Sequence, residues 1–585
     1  MTLIAGIISR KPNTLLPASA CETLRREISR DERDIPEVYS DISSYLVKLD
    51  IGAFRERAAV TGSESSITLL TGEPLLNGED GKSNRRHVDT AKIHDSLMKG
   101  DHLILTTANG AFSAVHYDPS KSEISLIADK LALRPLYYWV SDEYVIFASA
   151  MRILEKVDAI PKRLDLRAVT ELVGLGYQLS DRTPFSEIRL LRPAEIVTVS
   201  GSKITSETYW RWDEIEQSDR PLDELTSNLY QAFSNAVARR NGGDSATAAY
   251  LSGGLDSRCI VAALREQDVD VHTFNFSRES TQDQVFGREY AAAAGAIHRE
   301  IPKQAGDLVP DYSKLMADVW TASQAGLKHP AERANIVWSG EGGSVALGHV
   351  HLTEAIADMM RNGNTDGAID EHLRLEFVMV SPRLFRPELT MRTSTIIQDG
   401  IREELSKLHC KDKGRSFFLF LMLNDQHRKL GKHFENIDLH RLEFQLPFFD
   451  GSFIAAILAF PMDDCLRHRL YLRWMSLFPP AVTSVPWQAY PGHEPCPIPI
   501  PAGLTYQWAD EFQTAERAAQ KRLIMEQASE MLGSKAFPDR ILNKRNLRLA
   551  SWVHATGLRD YGYLIGSAAT IFEYWKVCGG DYFLP

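Results

Sequence analysis

The chain has 585 residues, of which 44% are hydrophobic and 24% charged, so it is a globular protein long enough for two or more packed domains. Its net charge of -11 argues against nucleic acid as the main partner, because phosphate binding needs a basic surface. The six cysteines form no C-x-x-C pair and no apolar stretch is long enough to cross a membrane, so we expect a cytoplasmic protein without zinc or a membrane partner.

The first part of the chain has the pattern of β-structure. Residues 124–128 and 144–148 are short runs of strand type that lie between turn residues. Helical patterns are few and short, around residues 90–99 and 166–174. We therefore predict an α+β domain of packed antiparallel sheets over residues 1–213.

The pattern changes after a polar, charged segment, residues 214–221, which ends in a proline and is the natural linker. Over residues 222–585 helical patterns alternate with apolar strands, as expected of an α/β domain with a parallel sheet. After Leu504 we expect a helix through Met531 and then a further helical pair, which gives this domain a helical C-terminal part.

The most informative motif is Ser-Gly-Gly-Leu-Asp-Ser at residues 252–257, here called the phosphate loop. An apolar strand precedes it and a helix pattern follows, so its glycines and the helix N-terminus form a cradle for phosphates. We expect the two serine hydroxyls to donate to pyrophosphate oxygens and Asp256 to bind Mg²⁺. The motif lacks the lysine of a Walker loop, and the simplest alternative is an ordinary turn between a strand and a helix. The predicted ATP-binding residues in this loop are Ser252, Gly253, Gly254, Leu255, Asp256 and Ser257.

The phosphate loop resembles that of the PP-loop ATP pyrophosphatases, which form an acyl-adenylate and release pyrophosphate. In the first half, residues 128–138 resemble the RDxxGxRPLYY segment of class II glutamine amidotransferases. Residues 147–149, 182–185 and 209–210 follow at the spacing of class B asparagine synthetases. This resemblance implies an Ntn-hydrolase-like sandwich followed by a PP-loop synthetase domain that uses ATP and Mg²⁺.

The chain departs from that family at the nucleophile of the glutaminase domain. Working members carry a terminal cysteine, whereas Thr2 stands here, and a hydroxyl is far less ionised than a thiol. Asn77 and Gly78 are either a remnant of the family's oxyanion element or a turn. We expect a catalytically silent domain, with a threonine hydrolase acting through Thr2 as the alternative.

A second glycine-rich segment, residues 339–343, is here called the glycine loop and resembles the family's SGEGxDE motif. Ser339, Gly340 and Gly342 are therefore expected near the phosphates, and Glu341 is a candidate base for the amine. Ser344 and Val345 replace two family carboxylates, which leaves Asp256 as the metal ligand.

Several further positions carry expectations from the parallel-sheet pattern and from the same resemblance. Phe276 ends a second apolar strand, where the adenine would lie, and Asp283 is either a family acidic residue or a helix N-terminal charge. Asp425 and residues 443–450 resemble the family's amino-acid pocket, with Gln445 in place of an arginine that would bind a free carboxylate. Gln445 is therefore a candidate contact for a different substrate, whereas Asp450 is better explained as a helix N-cap.

Residues 485–497 replace the family's lysine-bearing loop with aromatic and proline residues and contain no lysine. The segment resembles that of lasso peptide macrolactam synthetases, the cyclases that close an isopeptide ring. The resemblance implies Trp487 as a substrate contact, Tyr490 and His493 as catalytic candidates, and a precursor peptide, a leader peptidase and a leader-binding protein as partners.

The sequence thus predicts an ATP-dependent lasso peptide cyclase. It would adenylate an Asp or Glu side chain and join that side chain to the N-terminal amine of the peptide. An ammonia-dependent asparagine synthetase or a β-lactam synthetase is the alternative among ligases. A nucleotide-binding regulator that has lost catalysis is the alternative of another class.

Overall fold

The fold is taken from a computed structural model, which describes residues 2–11, 14–62, 65–77, 85–302, 312–327, 330–506 and 513–584. The strands are β1 (Thr2–Ser9), β2 (Glu37–Ser40), β3 (Ser44–Asp50), β4 (Ala59–Thr61), β5 (Ile67–Gly72), β6 (Phe112–Asp118), β7 (Glu123–Ala128), β8 (Tyr137–Val140), β9 (Tyr144–Ala148), β10 (Leu164–Asp165), β11 (Arg189–Leu190), β12 (Glu195–Ser200), β13 (Lys203–Thr208), β14 (Ala246–Tyr250), β15 (Asp270–Asn275), β16 (Ile297–Glu300), β17 (Ile336–Trp338), β18 (Glu443–Gln445) and β19 (Tyr582–Phe583).

The helices vary from single turns to long rods, and a π-helical segment joins two of them at Leu421–Gln426. They are α1 (Ala18–Glu27), α2 (Arg86–Met98), α3 (Met151–Glu155), α4 (Leu166–Leu175), α5 (Leu222–Asn241), α6 (Asp256–Arg265), α7 (Gln282–Ala294), α8 (Tyr312–Gln324), α9 (Gly343–Ala346), α10 (Glu354–Arg361), α11 (Thr365–Leu375), α12 (Pro387–Thr393), α13 (Ile396–Ser406), α14 (Lys413–Phe420), α15 (His427–Glu435), α16 (Ile437–His440), α17 (Gly451–Leu458), α18 (Met462–Cys465), α19 (Arg469–Met475), α20 (Ala481–Ser484), α21 (Gln513–Gly533), α22 (Lys544–Thr556) and α23 (Gly562–Val577).

The N-terminal domain is a sandwich of two antiparallel sheets. The first has the order β11-β8-β9-β1-β3-β2 and the second the order β13-β12-β7-β6-β5-β4. Apolar residues from facing strands, among them Ile4, Leu69, Leu126 and Phe147, form the core between the sheets. β1 lies inside its sheet and all of its residues are buried, and accordingly its sequence between Thr2 and Ser9 is apolar apart from one glycine.

The second domain is built on a parallel sheet with the order β16-β15-β14-β17-β18. The chain runs outward from β14 to β15 and β16 on one side, and then returns to add β17 and β18 on the other side. The carboxyl ends of β14 and β17 are therefore adjacent at the point where the strand order reverses, which is where parallel α/β sheets bind their ligands.

The last three helices of the chain pack against the N-terminal domain. Met531, Phe572 and Trp575 belong to the same buried cluster as Ile153 and Val169 of α3 and α4. The final strand β19 also pairs in parallel with β10. The apolar faces of α21 to α23 are thus covered by the first half of the chain.

The structure confirms the antiparallel first domain and the parallel second domain with a helical C-terminal part. Two of the predicted strands coincide with β7 and β9, and the predicted helices around residues 90–99 and 166–174 are α2 and α4. Among the described residues, no helix is long and apolar enough to span a bilayer.

Candidate functional site

The phosphate loop and the glycine loop meet at the reversal point of the parallel sheet. The phosphate loop follows β14 and enters α6, and the glycine loop follows β17. The loops touch so closely that a Cβ atom on Gly340 would lie 2.8 Å from the backbone nitrogen of Ser257. Only glycine fits there, so the two motifs form one site.

Hydrogen bonds within the phosphate loop fix its shape. The Ser257 hydroxyl accepts from the Ser252 backbone N–H at 3.0 Å, and the two serine hydroxyl oxygens lie 3.1 Å apart. The Ser252 hydroxyl accepts from the Gly254 N–H at 3.2 Å, and Leu255 is the N-cap of α6. The paired hydroxyls therefore lie together where α6 begins.

Asp283 supports this loop from the next helix. The Asp283 carboxylate accepts a hydrogen bond from the Gly253 N–H at 2.9 Å. Thr281 caps α7, and Asp283 lies in the first turn of that helix. The side chain is only 4% exposed, so the buried carboxylate acts by holding a glycine of the phosphate loop.

Asp256 is the first residue of α6 and faces the glycine loop. Its Oδ1 atom accepts hydrogen bonds from the Ser344 hydroxyl at 2.9 Å and from the Tyr471 hydroxyl at 2.8 Å. Burial raises the pKa of Asp256 to about 6, although the bonds from Tyr471 and Ser344 act in the opposite direction. A Cβ atom on Gly343 would lie 2.6 Å from this carboxylate, which shows how closely the glycine loop approaches it.

The Asp256 carboxylate fits the role of a single protein ligand to Mg²⁺ better than that of one member of a metal site formed by several protein side chains. Among the described residues, no group of three or more His, Cys, Asp or Glu side chains could hold a metal ion. Mg²⁺ commonly takes one or two protein carboxylates and completes its shell with phosphate oxygens and water. Asp256 fits that pattern together with a bound nucleotide.

Arg258 joins the phosphate loop to a distant segment. Its guanidinium donates at 2.9 Å to the carbonyl oxygens of Gly254, Val482, Val485 and Pro486. The side chain is completely buried, and among the described residues its hydrogen bonds all go to carbonyl oxygens. Burial therefore lowers the pKa of Arg258.

Glu341 lies at the tip of the glycine loop and contacts His433 of α15. The Nε2 atom of His433 is 3.1 Å from Oε1 of Glu341, and the His433 ring packs on Phe444 with 4.9 Å between ring centroids. Burial lowers the pKa of His433, but the hydrogen bond and charge of Glu341 raise it more, so the net shift is upward. Sequence reasoning missed His433, because no local motif marks it.

Tyr490 and His493 lie together beside His468. The two histidine Nδ1 atoms are 2.7 Å apart, and the Tyr490 ring stacks on His468 with centroids 5.4 Å apart. Burial lowers the pKa of His468 to about 3 and raises that of Tyr490 to about 12, so both are uncharged near neutral pH. The charge of Asp256 also contributes to the raised pKa of Tyr490, which places this cluster at the edge of the site.

The two predicted substrate contacts are engaged by the protein itself. The Gln445 amide donates to Glu73 of the N-terminal domain at 2.8 Å, and Gln445 is 4% exposed. Trp487 is 2% exposed and lies beside Arg258. In this arrangement both side chains contribute to packing, and their contact with a substrate stays a prediction.

Three other positions from the sequence analysis have clear places. Phe276 is half-buried after β15 and packs against Tyr250 at a centroid distance of 5.8 Å. Asp450 caps α17, as expected, and also pairs with Arg240. Asp425 lies in the π-helical segment and pairs at 2.7 Å with a lysine one helical turn further on.

Thr2 opens β1 and is held by a charged cluster in the N-terminal domain. Its hydroxyl oxygen lies 2.6 Å from Nη2 of Arg86 and 3.2 Å from Oδ2 of Asp50. Thr2 is 1% exposed, so its hydroxyl is already engaged by protein groups.

The predicted oxyanion remnant is described only in part. The side-chain oxygen of Asn77 accepts from the Asn109 amide at 3.0 Å. Gly78 lies outside the described residues. The choice between an oxyanion element and a turn at these two positions therefore stays a prediction.

Two family models match parts of the chain. Residues 76–210 match a glutamine amidotransferase domain, and residues 228–362 match an asparagine synthase domain. These matches follow the two domains seen in the fold.

Curated relatives align over part of their length. Asparagine synthetase 3 (glutamine-hydrolyzing) of Bacillus subtilis is 26% identical over 251 residues, which cover 40% of this chain and 40% of that protein. The glutamine-hydrolyzing asparagine synthetase of Mus musculus is 24% identical over 203 residues, which cover 33% of this chain and 35% of that protein. The chain thus spans less than half the length of each.

Among solved structures, the allosteric regulatory enzyme of purine biosynthesis aligns with 53% of this chain and 82% of its own, at 12% identity and a TM-score of 0.25. That likeness is too low to support a conclusion. In chain order, this protein is thus similar to a glutamine amidotransferase domain and then to an asparagine synthase domain, and it is similar over part of its length to asparagine synthetases.

Proposed function

We propose that this protein is an ATP-dependent ligase that forms an amide bond through an acyl-adenylate. The observation that carries the proposal is the junction of the phosphate loop and the glycine loop, with the Asp256 carboxylate between them. Such a junction suits pyrophosphate release, since paired serine hydroxyls and a helix N-terminus face the same space.

In the first step a substrate carboxylate oxygen bonds to the α-phosphorus of ATP, and the bond from that phosphorus to the bridging oxygen of the β-phosphate breaks. Ser252 and Ser257 would donate to the departing pyrophosphate, and Asp256 would hold Mg²⁺. When bound, Mg²⁺ supplies charge neutralisation at the phosphates. The protein's own part is to hold the reactants close together and oriented.

In the second step an amine nitrogen bonds to the acyl carbon, and the bond from that carbon to the AMP oxygen breaks. The amine loses a proton in this step. We assign its acceptance to the Glu341–His433 pair, in which neutral His433 takes the proton and the Glu341 carboxylate stabilises the imidazolium.

The amine itself is the point on which two candidate reactions differ. The Thr2 hydroxyl is held by Arg86 and Asp50, which favours a silent glutaminase domain and an amine that does not come from glutamine. Residues 485–497 contain no lysine, and Gln445 stands where a free amino acid would need an arginine. These features favour a peptide that supplies both groups, and therefore a lasso peptide cyclase forming a macrolactam.

The second candidate is an asparagine synthetase. The two family models and the relatives are as consistent with it as with the cyclase. In either case we take the N-terminal sandwich to be of the Ntn type, with domains at residues 1–213 and 222–585. For the cyclase we further propose a cytoplasmic setting and a leader peptidase and leader-binding protein as partners.

The test is pyrophosphate release from ATP and Mg²⁺ with three sets of acceptors. These are aspartate with ammonia, aspartate with glutamine, and a candidate precursor peptide with its trimming protease. Pyrophosphate release with the peptide and its protease but with neither aspartate mixture, together with loss of one water mass from the peptide product, supports the cyclase. Release with aspartate supports the asparagine synthetase.

Matched variants locate the chemistry in this site. Asp256→Ala removes the carboxylate at the loop junction and should abolish release. Asp270→Ala removes an exposed carboxylate at the opposite end of the sheet and should leave release unchanged. Full activity in Asp256→Ala would contradict the proposed site, whichever acceptor is used.

A further inference from the structure

A cavity lies away from the phosphate loop, between α4 and α15 on one side and α23 on the other. Its volume is about 570 Å³, within the range of small-molecule sites. Arg428 and Lys432 of α15, Glu155 of α3 and Tyr574 of α23 line it. Both domains therefore form its wall, the second one through α15 and α23.

Buried hydrogen-bond donors in this wall lack acceptors. Arg428 is 9% exposed, and its Nη2 atom donates to the carbonyl oxygens of Ser180 and Arg182 at 2.8 and 2.7 Å. Its Nε atom is buried without a partner among the described residues. The Nε atom of Arg152, which also lines the cavity, is buried without a partner too, but Nη2 of that arginine pairs with Asp438 at 3.1 Å, so Arg428 is the arginine left for a ligand. A buried polar group without a partner is costly, so these donors call for a negatively charged ligand group.

The same wall offers one carboxylate without a donor. Within the described part of the chain, Glu155 makes no hydrogen bond, whereas Glu435 beside it accepts from the Tyr137 hydroxyl at 2.7 Å and from the Met151 N–H at 3.1 Å. Burial and then the charge of Glu435 raise the pKa of Glu155, and the lysines Lys156 and Lys162 lower it less. An ammonium group would satisfy this carboxylate.

Another part of the cavity wall is apolar and would contact an uncharged, apolar part of a ligand. Met151, Leu172, Val173 and the ring of Tyr177 contribute to it. A ligand that satisfies these three parts of the wall therefore has a carboxylate, an ammonium and an apolar side chain.

We propose that this cavity binds a zwitterion with an apolar side chain, either a free amino acid or a short peptide. Its carboxylate meets Arg428, and its ammonium meets Glu155. Because α15 also carries His433, the helix joins this cavity directly to Glu341 of the candidate active site. Such binding does not depend on the ligase reaction.

Calorimetric titration of the full chain with L-phenylalanine tests it. We expect a dissociation constant below about 1 mM, and binding at least about tenfold weaker for 3-phenylpropanoate and for 2-phenylethylamine, which each lack one charged group. L-alanyl-L-phenylalanine distinguishes the two sources: tighter binding than phenylalanine indicates a peptide, and weaker binding a free amino acid. No heat with any of these four probes would overturn the proposal.

Variants place the binding in this cavity. Glu155→Gln should weaken phenylalanine binding about tenfold and leave 3-phenylpropanoate binding unchanged, since only the ammonium contact is lost. Glu573→Gln changes an exposed residue of α23 and should bind as the wild type does. Asp256→Ala should also retain binding. Equal affinity in Glu155→Gln, or lost binding in Asp256→Ala, would contradict the assignment.

Discussion

Replacing Arg258 with methionine should release the phosphate loop from residues 482–488. The guanidinium makes four hydrogen bonds of 2.9 Å to carbonyl oxygens, and methionine fills similar space without a donor. Three of these bonds, to Val482, Val485 and Pro486, join the two segments, so at about 1 kcal/mol for each orphaned carbonyl the contact loses about 3 kcal/mol. We expect this free energy to be lost locally, at the phosphate loop, because other contacts stabilise the sheet and the helices.

Hydrogen exchange measures this loss where it occurs. The Gln488 N–H donates to the Gly253 carbonyl oxygen at 3.0 Å, directly beside the Arg258 contacts. A loss of about 3 kcal/mol corresponds to about 10²-fold faster exchange of that amide, readable by mass spectrometry of a peptide that contains it. The KM for ATP should rise in the same variant.

Arg288→Met is the matched control on α7. Arg288 is exposed and, within the described part of the chain, forms one ion pair, with Glu300 at 3.4 Å, so its loss should leave both exchange and KM unchanged. Wild-type protection of the Gln488 amide in Arg258→Met would refute the view that this arginine holds the phosphate loop.

Three further replacements test other parts of the site. Glu341→Gln removes the charge that raises the pKa of His433, so the acid limb of the rate–pH profile should move to lower pH, with about 10²-fold slower turnover. Thr2→Ala should leave pyrophosphate release unchanged, as expected of a silent glutaminase domain. Gly342→Ala should destabilise the glycine loop by at least about 1 kcal/mol and raise the KM for ATP, because φ is 92° there and a Cβ would clash with the Phe449 ring.

Each of these has a clear contrary result. An unmoved acid limb in Glu341→Gln would remove the glutamate–histidine pair from the mechanism. Loss of all activity in Thr2→Ala, with activity retained in Asp256→Ala, would indicate a threonine hydrolase. Gly533→Ala is the control for Gly342, because a Cβ on Gly533 meets only open space.

The sequence alone was enough to predict those parts of the site in which the residues that contact one another are close together in the chain. The strand, glycine turn and helix around Asp256 follow from neighbouring residues, and so does the N-cap at Asp450. In both cases the residues that shape the local structure lie within a few positions of the chain.

Contacts over long sequence distances were not predictable in the same way. Tyr471 lies 215 positions from Asp256, and His433 lies 92 positions from Glu341. Gln445 was expected to face a substrate because of its place in the pocket block, but its amide meets Glu73 of the other domain. Such partners depend on how helices and domains pack, which no spacing in the sequence records.

The central claim is that the protein activates a carboxylate as an acyl-adenylate, and transfer of ¹⁸O from that carboxylate to AMP tests it most directly. A precursor peptide labelled with ¹⁸O in its acceptor carboxylate, and labelled aspartate in parallel, would be incubated with ATP, Mg²⁺ and the protein. An acyl-adenylate predicts that one ¹⁸O atom appears in AMP from the substrate that reacts. Label in inorganic phosphate instead, or unlabelled AMP beside a completed amide, would contradict adenylation at the phosphate loop.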